Sequence, residues 1–146
     1  MKGELITVEN FEPIPNVEHS IPIFDILSYG KYRTINLKST GRILYGILYS
    51  YLHSSKEKGY INSNKDNALY VKEKQVDIAK EISVSINTLR KYLNLLEQLD
   101  LIEIEKKGSI FVDEIYLRYP VREGLSEKEE AFLRAEELGL DFPDID

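Results

Sequence analysis

The stretch from Lys74 to Leu101, KQVDIAKEISVSINTLRKYLNLLEQLDL, decides how this chain folds. Val76, Ile78, Ala79 and Ile82 recur at helical spacing and predict a first helix with one buried side. Ile82-Ser83-Val84 reads as a tight turn, and Ser85 stands where a hydroxyl oxygen caps the next helix. That second helix carries Ile86, Leu89, Leu93 and Leu96, spaced to form one continuous apolar stripe.

The opposite side of the second helix carries the chemistry. At about 100° per residue, Asn87, Lys91, Asn94 and Gln98 fall in one row across from the leucines, with Thr88 and Arg90 flanking them. Amides and cationic side chains are the groups that hydrogen-bond to base edges in a major groove. A helix face selected for solubility alone more often carries Glu and Lys four residues apart. The competing reading of the same row is an ordinary solvated face.

After Leu101 come Ile102-Glu103-Ile104-Glu105, then Lys106-Lys107-Gly108-Ser109, then Ile110 to Tyr119. Branched and aromatic residues on both sides of a glycine-containing turn predict a hairpin with two lysines at its tip. Ala68-Leu69-Tyr70-Val71 reads as a further short strand. Helix, tight turn, helix and hairpin in this order predict an α+β winged helix-turn-helix: a three-helix core with a small antiparallel sheet and a wing. Asn87, Thr88, Lys91 and Asn94 are the candidates for reading bases. Lys74, Ser85, Arg90, Lys106 and Lys107 are the candidates for phosphate contact, which positions a protein without specifying sequence.

Outward from this centre, residues 37–54 predict the first long core helix. Ile43-Leu44, Ile47-Leu48 and Tyr51-Leu52 recur as adjacent pairs every four residues, despite Gly41 and Gly46. Residues 53–67, HSSKEKGYINSNKDN, read as a polar surface loop. Residues 1–30 carry Pro13, Pro15 and Pro22 and predict an arm, with a short helix near Ile23 to Tyr29. Its apolar residues (Phe11, Ile14, Ile21, Ile23, Phe24, Ile26 and Leu27) are too many for a free tail and are expected to pack on the body or on a partner chain. Residues 120–146 form an acidic extension. There Ser126 and Glu129 have capping-box spacing, Ala131, Phe132, Ala135 and Leu138 share a face, and Gly139 and Pro143 mark the stop.

The net charge of −6 divides unevenly along the chain. Residues 1–30 hold one lysine against five acids, residues 31–119 hold 15 basic against 11 acidic residues, and residues 120–146 hold three against nine. A basic body between acidic ends is compatible with phosphate binding of modest, salt-sensitive strength. No apolar run approaches the length of a membrane span, and the N-terminus lacks the pattern of a signal peptide. Zero cysteines exclude disulfides and thiolate metal sites and fit a reducing cytoplasm. His19 and His53 have no second ligand at useful spacing, and no phosphate-cradling glycine loop or nucleophile elbow is present. No catalytic residue, metal or cofactor is therefore expected. The ten tyrosines are expected in the core or at an interface.

The segment Ala79 to Ser85 with Thr88 to Leu93 and Leu96 to Ile102 resembles the winged helix-turn-helix of bacterial regulators, with Ser83 where the turn commonly has glycine. A longer likeness is to the N-terminal domain of plasmid replication initiator protein A from low-GC Gram-positive bacteria. It runs through Ile21-Pro22, Leu27, Tyr32, Leu37, Arg42 to Leu48, Leu69 to Val71, Leu101-Ile102, Lys106 to Gly108 and Ile115-Tyr116, about residues 20–119. Lys38 stands where that family usually has a capping serine, Leu52-His53 replaces a charged pair, and the acidic stretch lies where the family has a further domain. The resemblance implies a dimer that binds origin repeats in duplex DNA through the second helix and the wing. The acidic end is a possible contact for a replication or regulatory protein. Transcriptional or partition regulation shares the same DNA contacts, and a winged-helix protein-interaction module is the alternative of a different class.

Overall fold

The computed structural model describes residues 2–12, 25–34, 39–108 and 110–137. A 3-10 helix, Asp25–Ser28, leads into α1, Gly30–Thr34, and then the long α2, Ser39–Lys58. Strands β1, Ile61–Asn62, and β2, Ala68–Val71, precede α3, Gln75–Glu81, and α4, Ile86–Gln98. Strands β3, Ile102–Glu105, and β4, Glu114–Leu117, form the wing, and α5 spans Glu127–Glu137. The fold is an α+β winged helix, as the sequence predicts.

Helices α2, α3 and α4 bury their apolar sides together against one face of the sheet. Leu44, Leu48 and Leu52 of α2, Ile78 of α3, and Leu89, Leu93 and Leu96 of α4 join Leu69, Val71, Ile115 and Leu117 in a single core. Gly41 and Gly46 both lie buried in α2. The sheet order is β1-β2-β4-β3, with β2 and β4 pairing Tyr70 with Tyr116 and β3 and β4 pairing Ile104 with Ile115. Alternation along these strands puts Tyr70, Tyr116 and Glu103 on the side away from the helices. There Glu103 accepts from Arg118 Nε and Nη2 at 3.1 and 2.8 Å and pairs with Lys65 at 2.9 Å. Burial alone raises the Glu103 carboxyl, but hydrogen bonds from Lys65 and Arg118 outweigh it and hold the group below the usual carboxylate range.

Described segments on both sides of this body, residues 3–12 and 121–133, pack on it. Residues 4–8 wedge between β2 and β4: Ile6 N donates to Leu117 O at 2.8 Å, and Leu69 N donates to Ile6 O at 3.1 Å. Tyrosine hydroxyls clamp the residues that follow, Tyr49 donating to Glu12 O and Tyr119 to Asn10 O, each at 2.6 Å. Gly3 lies so close to the Tyr119 carbonyl that any side chain there forces the two backbones apart. On the C-terminal side, Lys31 N donates to Glu123 O at 2.8 Å and the Phe132 ring meets the Tyr29 ring edge-on at 5.9 Å. The Ser126–Glu129 capping box closes reciprocally, at 3.0 and 3.2 Å.

Several expectations are corrected. Helix α2 continues to Lys58, so the first residues of the expected loop are helical, and Ile61–Asn62 then forms a strand. Val76, assigned to the buried side of the first helix, is 50% exposed, because α3 presents Ile78 and Ala79 to the core instead. The second wing strand begins only at Glu114 rather than at Ile110, leaving Ile110 and Phe111 in the connection. Ala131 of α5 is exposed, and Leu133 takes the buried place. Ile14, Ile21, Ile23, Phe24, Leu138, Gly139, Pro143 and His19 lie outside the described residues.

Candidate nucleic-acid interface

The turn that aims α4 is unusual in its chemistry. Ser83 adopts φ 57°, a left-handed conformation that glycine takes without cost and serine does not. Its backbone closes α3, Ser83 N donating to Lys80 O at 3.2 Å, and Val84 N then donates to Ala79 O at 3.0 Å. Ser85 follows in extended geometry as the N-cap of α4, its Oγ accepting from Thr88 N at 3.1 Å. The same hydroxyl donates to Thr88 Oγ1 at 3.0 Å, which leaves the Thr88 hydroxyl proton for an outside acceptor. No acidic residue stands in the first turn of α4, so the positive end of its dipole is not offset there.

Along α4, burial and polarity segregate cleanly. Leu89, Tyr92, Leu93 and Leu96 are buried, while Asn87, Arg90, Lys91, Asn94 and Gln98 are exposed, with Thr88 at the margin. The row from Asn87 to Gln98 spans about 16 Å of helix, comparable with the width of a major groove. It presents three carboxamides and one ammonium, and Arg90 borders it.

The cations among the candidate DNA-contact residues, Lys91 of the base-reading set included, fall into two groups. Lys74, Arg90 and Lys91 have no carboxylate partner among the described residues. Lys74 is the N-cap of α3 with no side-chain cap bond, Arg90 Nε donates to Gln75 Oε1 at 3.2 Å, and Lys91 Nζ lies 5.8 Å from the Tyr92 ring centre. The wing lysines are engaged. Lys106 pairs with Asp113 at 3.7 Å but keeps its side chain 78% exposed. Lys107 sits between Glu105 at 3.1 Å and Glu114 at 3.5 Å, and the Glu105 hydrogen bond, followed by Glu114, raises its ammonium above the ordinary lysine value. An ammonium already flanked by two carboxylates has little left to offer a phosphate. Ser85 is likewise committed to Thr88.

The wing is fixed to α4 from its base. Strand β3 starts four residues after α4 ends, and Ile104 N donates to Glu97 Oε2 at 3.4 Å. Two features were missed in the sequence. Gln75 carries no local signal because its role depends on meeting Arg90 fifteen positions away, and Ile110-Phe111 reads as part of a strand that begins only at Glu114. Among the described residues no group of three or more His, Cys, Asp or Glu side chains is placed to hold a metal ion, and no helix is long and apolar enough to cross a membrane.

With this geometry in view, comparison with solved structures is informative. A structure described as a Rep–DNA complex superposes with a TM-score of 0.68 at 20% identity, covering 97% of this chain and 100% of that one. The N-terminal domain of a DNA-binding protein gives 0.67 at 19% identity, covering 96% and 99%. A structure described as an MDR initiator gives 0.61 at 14% identity, covering 94% and 100%. The chain shares their fold. That likeness runs over nearly its whole length and not over the helix-turn-helix alone. No family model and no curated protein matches the sequence itself.

Proposed function

We propose that this chain is a sequence-specific duplex DNA-binding domain of the replication-initiator type, acting without catalysis and binding repeated sites as a homodimer. The observation that carries this reading is the exposed amide and cation row of α4, set on a fold shared with a Rep protein solved on DNA. Asn87, Thr88, Lys91 and Asn94 read base edges, and Lys74, Arg90 and Lys106 contact phosphates. Affinity rests on few cations, so binding is salt-sensitive.

A second reading is favoured by the net charge of −6: the same fold serves as a protein-interaction module, with the acidic C-terminal segment as its contact. One experiment separates them. Selection from a pool of random duplexes is expected to enrich a repeated motif whose half-site spacing reports the dimer geometry. A pool that stays random, from protein that also passes unretained through heparin at low salt, leaves the interaction module standing and removes the DNA reading.

A further inference from the structure

We propose that the wing tip is an apolar wedge: Ile110 and Phe111 enter the minor groove of duplex DNA beside the site faced by α4 and unstack a base step. This rests on the duplex-binding reading. Among the described residues, the exposed large hydrophobic side chains are Val76, Ile110 and Phe111, and the two at the wing tip are 84% and 65% exposed. The fold does not require them. The tip closes through backbone, with Phe111 N donating to Gly108 O at 3.4 Å, and neither side chain joins the core. Leaving them in water forgoes the burial of two large apolar side chains. An exposed Ile-Phe pair beside a strand is also a hazard for aggregation unless something covers it.

Two observations favour the groove as what covers it. First, the charges of the wing stop at the outer end of its strand pair, where Lys106 faces Asp113 and Lys107 faces Glu105 and Glu114. Residues 108–112 carry none, so the part that reaches furthest brings no carboxylate toward the phosphates. Second, the wing continues directly from α4 and is bonded to it through Glu97 and Ile104, so a duplex lying on α4 lies beside the wing. A protein surface is a poorer match. Stable protein contacts bury on the order of 1,200 Å² or more, and two side chains on a narrow hairpin supply a fraction of that. Phe and Ile are among the side chains that serve as wedges between base pairs, most cheaply at pyrimidine–purine steps.

The test uses the full chain and duplexes enriched from the random pool, with 2-aminopurine replacing adenine at each pyrimidine–purine step flanking the motif. Binding is expected to raise fluorescence at one step. Phe111→Ala is expected to abolish that rise and weaken binding about tenfold, while Phe111→Leu keeps most of both. Thermal unfolding of either variant is expected to match the parent, since the side chain is exposed. Enrichment with fluorescence flat at every step overturns the wedge and leaves duplex binding intact. So does a Phe111→Ala variant that binds as tightly as the parent, or one whose only change is the loss of a dimer in sedimentation. A pool that never enriches overturns the DNA reading and the wedge with it.

Discussion

Arg90 donates from Nε to the Oε1 of Gln75 at 3.2 Å, so the first residue of α3 holds a cation on the exposed side of α4. An arginine has five N–H donors, and this contact uses one, leaving the terminal nitrogens for an acceptor outside the protein. Holding an exposed arginine in place before contact removes part of its ordering cost on binding. Gln75→Ala is therefore expected to weaken duplex binding by about 0.5–1 kcal/mol with little change in folding stability. In an Arg90→Ala background the same substitution is expected to do nothing further. A double-mutant cycle by fluorescence anisotropy measures this, and additive losses would show the two residues acting separately.

Asn87 and Asn94 lie two helical turns apart on the exposed row, and each amide offers a donor and an acceptor together. Either residue changed to alanine is expected to cost about 1–3 kcal/mol on the enriched duplex and little on random DNA. The comparison of the two duplexes is the measurement. Equal losses on both would refute base reading by these amides.

The wing lysines are expected to behave differently from each other, although they are adjacent in sequence. Lys106 holds one partner loosely and is largely exposed, whereas Lys107 is held between Glu105 and Glu114. Lys106→Ala is expected to flatten the salt dependence of binding by about 0.9 in log–log slope, the release expected for one phosphate. Lys107→Ala is expected to leave that slope nearly unchanged. Titrations across a range of salt concentrations decide it, and equal changes would show that Lys107 leaves its carboxylates to reach DNA.

The helix-turn-helix was legible because its signals are local. Leu89, Leu93 and Leu96 repeat at helical spacing, Ser85 sits at the N-cap, and the exposed row follows from the same periodicity. What the sequence concealed depends on meetings across the chain. Ile110 and Phe111 look like strand residues, but the pairing register of β3 with β4 stops at Glu105 and Glu114. Nothing local says that. The polar run after Leu52 looks like a loop, yet its first residues extend α2, where Ser55 Oγ donates to Tyr51 O at 3.0 Å inside the helix. Val76 was misplaced because two buried residues suffice for so short a helix as α3, and periodicity cannot tell which neighbour is spare.

Ser83 at φ 57° carries the strain of a left-handed residue with a side chain. That conformation costs about 1–2 kcal/mol for an L-residue, against the roughly 0.5–1 kcal/mol that a glycine's extra freedom costs in the unfolded chain. Ser83→Gly is expected to stabilise the fold by about 0.5 kcal/mol, while Ser83→Val is expected to destabilise it by more than that, since a branched side chain suits this region least. Urea denaturation of both variants measures the difference. A glycine variant less stable than the parent would mean that the serine side chain contributes more than its backbone strain costs.

The Glu103 cluster sets an acid limit on stability. Lys65 and Arg118 hold the Glu103 carboxyl below its ordinary value despite partial burial, so the folded state binds this proton more weakly than the unfolded state does. The contribution is thus fully present above the unfolded carboxyl value of about 4.3 and is lost as pH falls through the lower folded value. Because the group is partly exposed, its magnitude is that of a screened ion pair, about 1 kcal/mol. Glu103→Gln is expected to lower the unfolding free energy by about that amount at neutral pH. The gap to the parent is expected to close below about pH 4, where the parent carboxyl gains its proton as well. Urea curves for parent and variant at neutral pH and at about pH 3 test the sign directly. A gap that persists unchanged into acid would assign the loss to packing on the outer face of the sheet rather than to charge.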